Sequence, residues 1–169
     1  FVTLLAAAGD PDVADRLKEG TELAGATYRV HLDGHDQLDY LTGAVADSPR
    51  NHFFYVSDDG DLTAMRFDNW KFVFLEQRAV GTLQVWAEPY TQLRFPKLFN
   101  LRTDPFERAD ITSNTYYDWL LDRAWIFIPA LAYVNNMLQS FIEFPARQSP
   151  ATFTIDKMME KLKAGLPSA

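Results

Sequence analysis

Three groups of side chains in this 169-residue chain have the types and spacing that bear on chemistry. In HLDGH, His31 and His35 flank Asp33, with Asp36 alongside; on a helix that interval would turn two imidazoles toward one metal ion. Asp33-Gly34 between them is a turn signal, so His31, His35 and His52 read as ordinary loop or strand-edge histidines, and no metal ligand set is assigned. SDDGD, Ser57 to Asp61, gathers carboxylates on a turn. It lacks a glutamate at the distance from its glycine that a calcium loop requires, so it reads as a solvated hairpin tip. Glu76, Gln77, Arg78, Trp86 and Glu88 surround a long loop that follows a strand, where binding residues commonly sit on a rigid support.

Other chemistry is excluded by what is missing. There is no cysteine, which removes disulfides, thiolate metal sites and cysteine nucleophiles. G-x-S-x-G, S-x-x-K, G-x-G-x-x-G and the phosphate-binding P-loop pattern do not occur, so no activated serine and no nucleotide cradle is expected. A net charge of −7 and a pI near 4.9 argue against nucleic acid and anionic membranes as partners, because both repel such a surface. No charged residue lies between Arg123 and Glu143, yet the segment carries Pro129, Asn135, Asn136, Gln139 and Ser140. Its apolar part falls short of the roughly 20 residues of a membrane span, so a buried helix is expected. The start, FVTLLAAAGD, lacks a methionine and a basic region and reads as a cut or processed chain rather than a signal peptide.

The elements that must position these residues follow from periodicity and punctuation. Phe1 to Ala8 reads as a helix ending at Gly9, and Asp10 as the cap of a second with Pro11 at its first position and Gly20 after its last turn. TYRV gives a short strand, Asp33-Gly34 a turn, and QLDYLTG a brief helix closed by Gly43. HFFYV and DLTAMRF flank Asp59-Gly60, a hairpin signal; DNW is the next turn and KFVFLEQ the next strand. Alternation places Phe54, Val56, Leu62, Ala64, Phe72 and Phe74 on one covered face. A loop, with a short hairpin of its own as an option, leads to the strand KLFNL. From Asn114 to Phe144 a helix is expected whose apolar stripe includes Tyr116, Leu120, Phe127, Leu131, Val134, Leu138 and Phe141, kinked or split at Pro129. TIDKMMEKLKA reads as a last amphipathic helix. The fold class is α+β: a small antiparallel sheet of about four strands packed with a long C-terminal helix.

LFNLRTDPFERADIT, Leu98 to Thr112, is a strand end stopped by Asp104-Pro105. Glu107 stands three residues after Asp104, so a capping box is expected, with Asp104 accepting from the Glu107 amide and the Glu107 side chain reaching back.

This stretch resembles the strand and turn L-[YF]-[ND]-L-x-x-D-P-x-E-x-x-[ND]-[LI] near the C-terminal end of sulfatases. VHLDGHDQLDYLTG resembles the family's DG-x-[SD]-L-x-x-x-L-x-G segment. SPRNHFFYVSDDGDLTAMRFDNWKFVF resembles its R-x-x-x-F-[FY] … A-[VM]-R-x-x-x-[WY]-K sheet. The match runs over nearly all of the chain and is similar to bacterial arylsulfatases. It implies that residues 1–45 are the end of a sulfatase core domain and its connector, 46–112 the small sheet, and 113–169 a helical region.

Sulfatases hydrolyse sulfate esters with a formylglycine made in C/S-x-[PA]-x-R, beside a bound calcium ion. Neither Ser48-Pro49-Arg50 nor Ser149-Pro150-Ala151-Thr152-Phe153 fits that motif. The resemblance therefore implies no catalytic residue, no metal ligand and no cofactor in this chain, with calcium and formylglycine expected in a parent enzyme. It implies the N-terminal sulfatase core as partner and a sulfate ester as substrate of the parent; localisation is left open, with a periplasmic or secreted parent as options. It also makes the loop Glu76 to Pro89 the place for substrate contacts: Arg78 for the anionic sulfate, Trp86 to stack on a ring, Gln77 and Glu88 beside them. The alternative is a stand-alone interaction or homo-oligomerisation module that uses the aromatic-rich helix.

Overall fold

A computed structural model describes residues 1–79 and 81–145. The expected helix at Thr154 to Ala164 lies outside the described residues. The chain runs α1 (Val2–Ala7), α2 (Val13–Glu19), β1 (Thr21–Leu23), β2 (Ala26–Tyr28), α3 (Leu38–Thr42), β3 (His52–Val56), β4 (Leu62–Phe67), β5 (Trp70–Glu76), α4 (Gln84–Ala87), β6 (Thr91–Asn100), α5 (Ala109–Thr112), α6 (Tyr116–Leu121) and α7 (Phe127–Glu143). This is the expected α+β class. Strands β3 to β6 form one antiparallel meander in sequence order, and β1 and β2 form a separate ribbon.

The hairpin at Asp59-Gly60 forms as its residue types require, with Gly60 at φ 84° and the Ser57 hydroxyl accepting from the Asp61 amide. The period-two expectation for the covered face is half right. Phe54 pairs with Met65, Met65 with Phe72, and Phe72 with Leu98, so these four share a face, and Met65, Phe72 and Leu98 are fully buried on it. Ala64 pairs with Tyr55 and Val73 and so faces the other way. A register shift between Tyr55 and Val56 re-aims the strand end and leaves Val56 exposed; a bulge flips the alternation beyond it.

The strand expected as KLFNL is the second half of the ten-residue β6. Pro96 argues against strand there, but β6 is the sheet's edge, where a missing N–H is tolerated. The register shifts across residues 93–96, between Gln92, opposite Leu75, and Lys97, opposite Val73.

The helical region packs on the Phe72 face. Phe127 meets Phe72 edge-on at 5.2 Å, Tyr133 packs on Phe67, and Trp119 on Trp70. The expected break lies upstream of Pro129. A 3-10 turn at Ala124–Ile126 separates α6 from α7, and Pro129 falls in the first turn of α7, where its absent N–H costs nothing. The tighter turn rotates the following helix, so Ala130, Tyr133 and Val134 face the core, whereas Leu131, Leu138 and Phe141 are exposed.

Pro11 and Asp12 lie in a turn, and Asp12 takes the N-cap position of α2 without a side-chain cap hydrogen bond; Asp10 instead pairs with Arg16 at 2.6 Å. The α1 and α2 helices bury Val2, Val13 and Leu17 against Val30 and Leu32. Thr3 ties α1 to the connector, donating to the His35 carbonyl and accepting from the Gln37 amide.

Candidate functional site

The turn after β6 holds the site's floor. Asp104 accepts from the Arg108 and Ala109 amides at 3.0 and 2.8 Å, one turn later than the expected capping box, so the short helix α5 starts at Ala109 rather than Pro105. The Glu107 side chain does not reach back. Glu107 sits at φ 54° and its carboxylate takes the Lys71 ammonium at 2.6 Å across the sheet. The left-handed backbone at Glu107 swings α5 over the sheet face that carries Val73, Lys97 and Phe99.

That placement brings Asp110 onto Lys97, at 2.6 Å with side chains 6% and 11% exposed. Lys97 also donates to Glu76, and Arg78 bridges Glu76 at 3.2 Å and Asp110 at 3.3 Å. Two cations and two carboxylates thus alternate beneath the loop that leaves β5. Burial pushes the Glu76 carboxyl up, but the hydrogen bonds and charges of Lys97 and Arg78 outweigh it and hold the group below the ordinary carboxylate value. Burial likewise works against the Lys97 ammonium, and its two carboxylate partners win, raising it. The hydrogen bond to Glu76, followed by that residue's charge, raises Arg78.

All four sequence candidates lie on this one loop. Gln77 closes it, donating its side-chain amide to the Val85 carbonyl at 2.9 Å and to the Glu88 carbonyl. Glu88 serves that closure through its backbone, and its side chain is exposed. Arg78 is 59% exposed but already engaged by two carboxylates. Trp86, on the single turn α4, is 79% exposed, an extended ring held outward by a tied loop. The short hairpin considered for this loop is replaced by α4. Sequence reasoning missed Lys97 and Asp110; the signal was a lysine inside the apolar run of β6.

Among the described residues no group of three or more histidines, cysteines or acidic residues is placed to hold a metal ion, and no helix is long and apolar enough to cross a membrane. Yet His31 and His35, which the turn at Asp33-Gly34 was expected to keep apart, line a common groove together with His52.

An antiparallel meander covered by a helix, with an ion network under one loop, defines a small α+β subdomain. A family model described as the C-terminal region of aryl-sulfatase matches residues 48–140. The chain belongs to that family. Among solved structures it resembles the crystal structure of PsFucS1 sulfatase from Pseudoalteromonas sp., with a TM-score of 0.50 and 24% identity over 71% of this chain. At that identity the likeness speaks to the fold. The chain spans 23% of that structure's length. No match to a curated protein was found.

Proposed function

We propose that this chain is the C-terminal part of an arylsulfatase, a sulfate ester hydrolase, that supplies none of the groups breaking the S–O bond and instead completes the fold and lines the substrate cleft. The observation that carries the reading is the family match over the sheet and most of α7. The chain has no cysteine; on this reading the formylglycine and the calcium ion are assigned to the N-terminal catalytic domain, and no step is routed through them here.

Within this reading the loop from Glu76 to Pro89 faces the cleft. Trp86 offers its ring to an aryl or sugar group, and Arg78 adds positive charge tempered by Glu76 and Asp110. Gln77 and Glu88 hold the loop in shape. The catalytic domain also gives an occupant to an apolar stripe on the far side of the helices, where Tyr117, Leu121, Trp125, Ile128 and Ile142 are each at least 65% exposed. Monomers rarely leave so long an apolar face open to water.

The test is Trp86→Ala in the longer enzyme, assayed on an aryl sulfate. The expected result is a KM raised about tenfold at nearly constant kcat, the mark of lost substrate binding. An unchanged KM would remove the loop from the cleft.

A further inference from the structure

The groove that gathers the histidines lies on the opposite edge of the sheet from the Trp86 loop, and at the other end. His52 opens β3 level with Trp70 at the start of β5, whereas the loop leaves from the end of β5. Walls of α2, the connector 30–35, β3 and the second half of α7 enclose about 770 Å³. The lining is mixed, with cationic and imidazole groups interleaved among aromatic rings.

Two of its cations have no ion-pair partner among the described residues. Arg16, Lys71, Arg78 and Lys97 each have a carboxylate within ion-pair distance. Lys18 and Arg50, both lining the groove, have no such pair among the described residues. The Arg50 Nε donates to the His52 carbonyl at 2.9 Å, and its guanidinium lies 4.5 Å from the centre of the Phe53 ring. That leaves its terminal nitrogens for a ligand. Asp15 and Asp33 also line the groove, and Asp33 pairs with His31 at 3.3 Å.

His52 is set up to donate from Nε2 once it is protonated. Asn51 gives its amide N–H to the Tyr133 hydroxyl at 3.1 Å, which turns its carbonyl oxygen to the His52 Nδ1, also at 3.1 Å. The proton of neutral His52 is therefore on Nδ1, and Nε2 becomes a donor only when the ring takes up a second proton. Tyr133 packs on the imidazole at 4.6 Å, and His35 meets it edge-on at 6.2 Å.

We propose that this groove binds an organic oxyanion, its charged head held by Arg50, Lys18 and the His35–His52 pair and its ring laid against Phe53 and Tyr133. The inference does not rest on the sulfatase reading, because it concerns binding and not turnover. An anion here offsets the repulsion that His35 and Arg50 exert on the His52 ring, so it draws a proton onto His52. The groups facing that ring are His35 from the connector, Arg50 from its own strand and Tyr133 from α7, with Lys18 and Asp15 on α2 and His31 and Asp33 on the connector lining the same groove. Binding therefore tightens as pH falls through the imidazole range.

With three histidines in the chain, imidazole NMR signals report the site directly. The 169-residue chain is titrated with 4-nitrophenyl sulfate and with 4-nitrophenyl phosphate. Saturable shifts of the His35 and His52 signals are expected, about tenfold tighter at about pH 6 than at about pH 8. Arg50→Ala weakens them about tenfold, the cost of one charge-assisted hydrogen bond. Lys18→Ala weakens them less, and Trp86→Ala leaves them unchanged. The stronger of the two probes identifies the sulfate or phosphate class. Absence of saturable shifts with either, equal binding of uncharged 4-nitroanisole, or indifference to both Arg50→Ala and Lys18→Ala would overturn the proposal.

Discussion

Replacing Lys97 by methionine tests whether the ion network holds the turn onto the sheet. The substitution keeps the length of the side chain and deletes its charge, leaving Asp110, 6% exposed, and Glu76, 24% exposed, facing one another. Removing one partner of a buried pair costs about 3–5 kcal/mol. Arg78 still reaches both carboxylates and water reaches Glu76, so the expected loss is smaller, about 2–3 kcal/mol. For a chain of this size that lowers Tm by roughly 5–10 °C, read by circular dichroism. Lys97→Met combined with Asp110→Asn should recover about half of the loss, because the charge left unpaired is also removed. The pH dependence has a definite sign. The Glu76 carboxyl titrates below its ordinary 4.5 in the folded chain, so its contribution is present above that value and fades as pH falls through the depressed one. In Lys97→Met this acid limb should flatten. A variant within about 0.5 kcal/mol of the parent would refute a structural role for the network, since that is the range of an ordinary surface substitution.

Two further predictions concern Tyr116 and His52. The Tyr116 hydroxyl accepts from the Leu98 amide and donates to the Leu98 carbonyl, both at 3.0 Å, capping the two backbone groups that edge strand β6 turns away from β5. Tyr116→Phe leaves both buried and unpaired, and urea unfolding should show a loss of about 2–3 kcal/mol. Burial raises the phenol to about 12, so stability should also fall as pH climbs from 10 toward 12, and not in the phenylalanine variant. Burial, followed by His35 and Arg50, lowers the His52 imidazole from 6.5; the unfolded chain thus takes up this proton first, and stability should drop as pH falls below 6.5 in the absence of a bound anion. His52→Gln should flatten that drop in a Tm-against-pH series.

Much of the fold was legible because local chemistry set it. Asp59-Gly60, Gly43 in its left-handed helix cap at φ 78° and the apolar alternation of KFVFL act within a few residues, and each appears where expected. The misreadings share a cause, which is geometry imposed from outside the window. Ala64 fell on the wrong face because an extra residue, Thr63, in its own strand shifts the register, and Leu131 and Leu138 faced outward because a 3-10 turn rotates α7. Glu107 left its capping box because Lys71, 36 residues earlier in the chain, offered a partner across the sheet. The candidate loop was visible as a cluster of polar and aromatic residues. The Lys97–Asp110 pair and the histidine groove were not, since each joins segments that only the tertiary fold brings together.

The central claim, that this chain belongs to an arylsulfatase and performs none of its bond breaking, is met most directly by one assay. The 169 residues alone, and the same residues joined to the sulfatase domain that precedes them, are incubated with 4-nitrocatechol sulfate and calcium. The account predicts release of 4-nitrocatechol by the joined protein and none by the chain alone. Turnover by the purified 169-residue chain, or none by the joined protein once its formylglycine is verified by mass spectrometry, would contradict it.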